Sequence, residues 1–319
     1  MSKSQIFNAR RENWLGVHSL DHIGLIVPDL EEAQNFYHSF GLDVRFTSAG
    51  CDVRAVNHDH IWLKLKQGKQ KKLEYISFGA FEDDLELFVE RLHKHNIELL
   101  KREENELNKL CFFDPVGILV EIKPAAKVMP DSKAQYTVTS SPPGIRTAAM
   151  REDIPKVHPS RLAHALFFTN DIQKSVDFYC NILGLKISDF PGPVAFLHGA
   201  HGSDHHLIAF AQSDVGPGYH HSAWDVSSLD EVGLGGAQMA QAGYKEGWGL
   251  GRHVLGSNYF NYIRDPWGSY AEYSYDIDYV PVELDWPAGY PAPENSLYLW
   301  GPDVPLEFIL NHEKGSSAD

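Results

Sequence analysis

Two stretches of the chain carry the same order of apolar and polar positions. LDHIGLIVPDLEEAQNFYHSFGLDV from Leu20 and LAHALFFTNDIQKSVDFYCNILGLKI from Leu162 share one plan: an apolar run with an early His, an Asp, an amphipathic run, Phe-Tyr, then Gly-Leu. The run before the Asp predicts a strand, and the run after it a helix. Ala33, Phe36, Tyr37 and Phe40 fall on one helical face in the first copy. Ile172, Val176, Tyr179 and Leu183 do so in the second, with Asp171 placed to cap the helix. FFDPVGILVEIK from Phe112 matches YIRDPWGSYAEYS from Tyr262 in the same way, with seven residues from Asp114 to Glu121 and seven from Asp265 to Glu272. Asp-Pro-x-Gly predicts a turn, since Pro presets φ and Gly permits a positive φ. The alternating residues after it predict a strand.

The repeats divide the chain into two similar halves, each of two strand-helix-strands units starting near Leu20, Leu73, Leu162 and Tyr219. The fourth unit has the weakest helix signal, because VGLGGAQMAQAG is rich in glycine. The expected domains are 1–130, a Pro/Ser/Thr-rich linker 131–158, 159–280, and a tail 281–319. SLYLWGPDVPLEFIL gives the tail enough aromatic content to pack on the body, so it is a candidate lid.

Composition narrows the function. The 319 residues carry 43 acidic against 28 basic side chains, a net charge of −15, which opposes binding to nucleic acid or to an anionic membrane surface. Three cysteines without CxxC spacing fit a reducing cytoplasm and leave no thiolate zinc site. No apolar run reaches membrane-spanning length, and MSKSQIFNARRENW lacks a secretory apolar core.

Histidine is the unusual residue, at 17, with two adjacent pairs in SDHHLIAFAQSDVGPGYHHSAWDV. His164 and His221 fall in the first strands of their units, and Glu272 in a last strand. If the two units pack as pseudo-symmetric partners, the three converge as two His and one carboxylate, a donor set suited to non-haem iron. Against this stands the plainer reading of hydrogen-bonded core histidines and a solvated glutamate, because 57 and 51 residues separate the three. Strand alternation turns His205 and His220 away from their neighbours. Trp224, Phe196, Phe210 and Trp248 are candidates for pocket wall or for core.

GRHVLGSNYFNYIRDPWGSYAEYSYD, Gly251 to Asp276, resembles the signature of the type I extradiol ring-cleavage dioxygenases of the vicinal oxygen chelate superfamily: His, Tyr nine residues later, Asp-Pro-x-Gly, then Glu. LAHALFFTNDIQKSVDFYCNILGL and YHHSAWDV resemble the strands that carry the other two ligands, and the similarity spans about 18–280. The resemblance implies an α+β fold of tandem βαβββ modules paired into two barrel-like domains. It implies His164, His221 and Glu272 as ligands of Fe(II), with Mn(II) the alternative. It implies His206 as the acid/base, and His253 and Tyr262 as contacts to substrate or oxygenated species.

The implied activity is cleavage of a substituted catechol by O2 beside its vicinal hydroxyls, giving a 2-hydroxymuconic-semialdehyde-type product in aromatic catabolism. A cytoplasmic homodimer or homotetramer is the implied setting. Rival readings are a hydroxyphenylpyruvate-type dioxygenase, a glyoxalase-like isomerase, and a non-catalytic binding protein of the same fold. In the first half, His22 and Glu121 match His164 and Glu272, but Tyr75 stands in the place of His221. That half is expected to be a structural copy without metal, its His22 and Glu121 hydrogen-bonded in the core.

Overall fold

The computed structural model describes residues 7–100, 108–134, 136 and 141–313. The first module is β1 (Ser19–Val27), α1 (Leu30–Phe40), β2 (Asp43–Thr47), β3 (Gly50–Arg54) and β4 (Leu63–Gln67); the second is β5 (Lys72–Ala80), α2 (Leu85–Lys94), β6 (Leu110–Phe113) and β7 (Leu119–Pro124). Where the second module lacks one described strand, Leu100 donates to the Cys111 carbonyl at 2.8 Å, on β6. The third module is β8 (Arg161–Thr169), α3 (Ile172–Asn181), β9 (Lys186–Asp189) and β10 (Val194–His198), closed by β12 (Ile208–Gln212) after the two-residue β11 (Ser203–Asp204). The fourth is β13 (Gly218–Asp225), α4 (Leu229–Gln241), β14 (Gly247–His253), β15 (Tyr259–Arg264) and β16 (Tyr270–Tyr275). The tail adds β17 (Tyr279–Val280) and β18 (Tyr298–Trp300).

The caps and turns follow from the side chains. Asp29 accepts from the Glu31 and Glu32 amides, and Asp171 from the Lys174 amide, as the sequence expectation for Asp171 had it. In the two Asp-Pro-x-Gly turns, Asp114 accepts from Val116 and Ile118, and Asp265 from Trp267 and Ser269. The glycine of each turn has φ near +92°.

Each half is one mixed sheet, ordered β2-β3-β4-β1-β5-β7-β6 and β18-β14-β15-β16-β13-β8-β12-β10-β9. The opening strands of the two modules pair antiparallel at the centre of each sheet, β1 with β5 and β8 with β13. Every opening strand runs parallel to the last strand of its own module. This gives the α+β arrangement of paired modules expected from the repeats.

The halves share one core. Phe40 of α1 stacks on Tyr273 of β16 at 3.8 Å between centroids, and the Tyr273 hydroxyl donates to the Phe40 carbonyl at 2.8 Å. In the other direction Tyr179 of α3 packs on Phe78 and donates to Asp114 at 3.3 Å. No helix of the described residues is long and apolar enough to cross a membrane.

Candidate metal centre

The register of the central strands builds the site. Ala223 of β13 lies opposite His164 on β8 and opposite Glu272 on β16. Residues directly opposite share a sheet face, and His221 joins that face two residues before Ala223. The small Ala223 side chain leaves the space between them open. One donor atom from each of His164, His221 and Glu272 lies within 4.8 Å of the others, and all three residues are buried. His164 Nε2 is 3.3 Å and His221 Nε2 3.6 Å from the same Glu272 Oε2.

These contacts are not ordinary ion pairs. Burial and the neighbouring His220 hold His221 well below the usual histidine range, so its ring is neutral. His221 Nε2 and Glu272 Oε2 are buried with no hydrogen-bond partner, as is His164 Nδ1. Of these, His221 Nε2 and Glu272 Oε2 face one another, with His164 Nε2 beside them, and orphaned buried acceptors so placed cost about 1–3 kcal/mol each, more where one is charged. A divalent cation among them removes that cost. Two imidazoles and a carboxylate, all on one side, leave its remaining positions open, so the donor set fits. Asn258 holds the carboxylate from behind: its Nδ2 donates to Glu272 Oε1 at 2.9 Å and to Ser274 Oγ at 3.0 Å.

The centre opens into a cavity of ≈ 380 Å³ walled largely by apolar residues, among them Phe168, Val194, Phe196, Leu255, Leu297 and Phe308. His206, His253 and Tyr262 also line it. The His206 ring lies 4.0 Å from that of His164, and burial with that neighbour holds it well below the usual range. His253 donates from Nδ1 to the Leu297 carbonyl at 2.7 Å, so its Nε2 accepts from the Tyr262 hydroxyl at 2.9 Å. Burial, then Glu272, pushes the Tyr262 hydroxyl well above 10, so it stays protonated.

The structure therefore brings together all six residues singled out in the sequence. It corrects the expectation that His205 and His220 point away. His220 lines the cavity, and its Nδ1 lies 2.6 Å from His221 Nδ1. A register shift between Tyr219 and His221 breaks the alternation that was assumed. His205 precedes β12 rather than lying in it, so alternation does not apply there, and its Nδ1 lies 3.1 Å from His206 Nδ1. Of the four aromatic residues left open, Phe196 lines the cavity. Trp224 and Phe210 are core, and Trp248 stacks on Tyr262 at 5.6 Å. Asn258 went unnoticed in the sequence, where no spacing or pattern marks it; Ser296, Leu297, Phe308 and Ile309 of the cavity wall fall in the tail segment noted for its aromatic content.

The matching place in the first half is closed. His22 bonds Asp21 at 2.6 Å and the Tyr75 hydroxyl at 2.9 Å. Glu121 accepts from Ser77 at 2.7 Å and pairs with Lys109 at 2.9 Å. His22 and Glu121 are hydrogen-bonded in the core, as expected.

Fold and site together define a chain of paired strand-helix-strands modules with, among the described residues, one buried His-His-Glu centre. The profile of the Glyoxalase/Bleomycin resistance protein/Dioxygenase superfamily matches residues 19–122 and 161–273, and the chain belongs to that superfamily. It is 46% identical over 299 residues to Metapyrocatechase 2 of Cupriavidus necator, covering 93% of each. Among solved structures, it is similar to the Mn(II)-bound glyoxalase from Novosphingobium aromaticivorans (TM-score 0.75, 22% identity, 95% of this chain and 97% of that one). A catechol 2,3-dioxygenase is similar at TM-score 0.70 and 20% identity, covering 92% and 98%. The resemblance drawn from the sequence motifs is upheld.

Proposed function

We propose that this chain is an Fe(II)-dependent extradiol dioxygenase. It opens a catechol ring with O2 beside the vicinal hydroxyls and yields a 2-hydroxymuconic-semialdehyde-type product. The observation that carries the reading is the meeting of His164, His221 and Glu272, with unpartnered acceptor atoms, at the floor of an apolar cavity. The likeness to a metapyrocatechase over 93% of the chain supports it.

His164, His221 and Glu272 would hold the iron, which would supply the redox chemistry that a spin-paired ring needs to react with O2. The chain supplies the rest. His206, neutral and beside His164, takes a catechol hydroxyl proton and later returns it to the departing oxygen. Tyr262, whose one hydroxyl hydrogen goes to His253 Nε2 before substrate enters, turns that hydrogen to the oxygen on which charge develops. The apolar walls exclude water and receive the ring substituent. No Lys, Arg, Asp or Glu is among the described residues lining the cavity, so an ionised substituent would be desolvated without a counter-charge. The accepted substituents are uncharged ones.

We propose a cytoplasmic homodimer or homotetramer, and light scattering on the purified protein reads the oligomeric state. Anaerobic loading with Fe(II), followed by an uncharged 3-substituted catechol and O2, tests the activity. Stoichiometric O2 uptake with a yellow product is expected. Turnover of a substrate without O2 would replace the reading with a glyoxalase-like isomerase.

A further inference from the structure

The two adjacent histidine pairs are built alike, and each outer ring reaches the C-terminal tail. His220 Nε2 lies 2.6 Å from the Phe308 carbonyl, which can only accept, so the hydrogen is on Nε2. The Nδ1 of that neutral ring then accepts from His221 Nδ1, 2.6 Å away. This leaves His221 Nε2 without a hydrogen, facing Glu272. The second pair repeats the logic. His205 Nε2 donates to Asp189 Oδ2 at 2.7 Å, and its Nδ1 accepts from His206 Nδ1 at 3.1 Å. His206 Nε2 is thereby the bare nitrogen.

Asp189, the last residue of β9, is itself held by the tail. Its Oδ1 accepts from the Gly289 amide at 3.0 Å, and the Trp286 ring stands edge-on to His205 at 5.5 Å. A Cβ on Gly289 would sit 2.2 Å from that Oδ1, so a side chain there would push the Asp189 carboxylate aside. Beyond Phe308 the tail is latched remotely. Glu313 accepts from the Leu73 and Tyr219 amides at 3.0 and 2.9 Å and pairs with buried Lys71 at 3.4 Å.

We infer that His205 and His220 are positioning residues through which the docked tail sets the tautomers of His206 and His221. A docked tail holds both as Nδ1–H, with Nε2 free for proton transfer in one and for metal in the other. An undocked tail removes the Phe308 acceptor from His220 and the Gly289 amide that fixes Asp189 for His205, and the wrong tautomer of His221 puts a hydrogen where the cation belongs. The role assigned to Nε2 rests on the metal-centre reading above; the tautomers themselves do not.

The test uses full-length, metal-free protein labelled with 15N in histidine. Long-range 1H–15N correlation spectra report which ring nitrogen carries the hydrogen, and a Zn(II) titration of the same samples gives the Kd. Wild type is expected to show His206 and His221 as Nδ1–H. Glu313→Ala, which frees the latch beyond Phe308, is expected to mix the His221 tautomers and raise the Kd about 10-fold or more. Gly289→Ala is expected to mix those of His206. His220→Asn, whose amide oxygen can still accept from His221, is expected to keep the His221 tautomer and most of the affinity, whereas His220→Ala loses both. Nε2–H tautomers in wild type would overturn the inference, as would unchanged tautomers and Kd in both tail variants. Because the spectra need no turnover, failure to consume O2 with any catechol overturns the dioxygenase reading and not this one.

Discussion

Asn258, which donates to Glu272, and Tyr262, its partner across the β15–β16 ladder, do different work. Asn258 only orients the carboxylate, through Nδ2 to Oε1. Asn258→Ala is expected to raise the metal Kd by about 10-fold or more, measured by competition with a chelator, with the fold intact. Tyr262 bears on charge that develops in the reaction. Tyr262→Phe is expected to keep metal affinity within a few-fold and lower kcat by about 100-fold. Equal loss of metal in both variants would contradict this division. At this scale the sequence was legible where a motif fixes spacing, as from His253 through Tyr262 to Glu272. It was silent where a contact depends on a register shift or on a distant carbonyl, as at His220 and Phe308. Asn258 is one more polar residue before a strand until the fold sets it against Glu272.

Helix α4 shows how composition can mislead about an element. Its glycines lower helix propensity, yet with 13 residues it is longer than α1, α2 or α3. The reason lies in the sheet beneath it. A Cβ on Gly235 would meet the Tyr273 ring at 2.7 Å, and one on Gly236 would meet Asn261 Nδ2 at 2.2 Å. The glycines let the helix lie close to β15 and β16, the strands that carry Tyr262 and Glu272. Ser228 caps it through the Glu231 amide at 3.2 Å. Gly235→Ala should therefore destabilise by about 1–3 kcal/mol through overpacking, despite a propensity gain of up to about 1 kcal/mol. Urea denaturation reads the sign; stabilisation would mean that the close approach is not required. Module boundaries were legible because apolar period and Asp-Pro-x-Gly turns recur locally. Helix packing between modules was not, since nothing in the sequence of α1 names Tyr273 as its partner.

Across the whole molecule, many histidines are buried without charge. Burial first, then nearby cations or histidines, holds His18 at about 4, His198 at about 3 and His201 at about 4. Their folded values lie below the unfolded value near 6.5, so the stability they contribute is present above pH 6.5 and lost as pH falls toward 4. Asp114 works the other way: burial raises it to about 6, so the folded state takes up one proton before the unfolded state does. Between about pH 6 and 4.5 the unfolded chain thus binds a net two more protons from these four groups. Stability should therefore fall as pH drops through this window, with these four groups alone contributing about 3 kcal/mol per pH unit. Urea midpoints at pH 6 and pH 5 check this, and equal midpoints would contradict it. The shared core around Phe40 and Tyr273 makes the loss global, so both halves should unfold in one transition.

Ring cleavage at the His164–His221–Glu272 centre is tested most directly by O2 uptake with 3-methylcatechol after anaerobic loading with Fe(II). Wild type, His221→Ala and Tyr75→His should be compared side by side. Oxygen consumption with yellow product in wild type and Tyr75→His, lost in His221→Ala, is the predicted result and places the chemistry in the second half. Yellow product undiminished in His221→Ala, or none from metal-loaded wild type with any uncharged catechol, would contradict it.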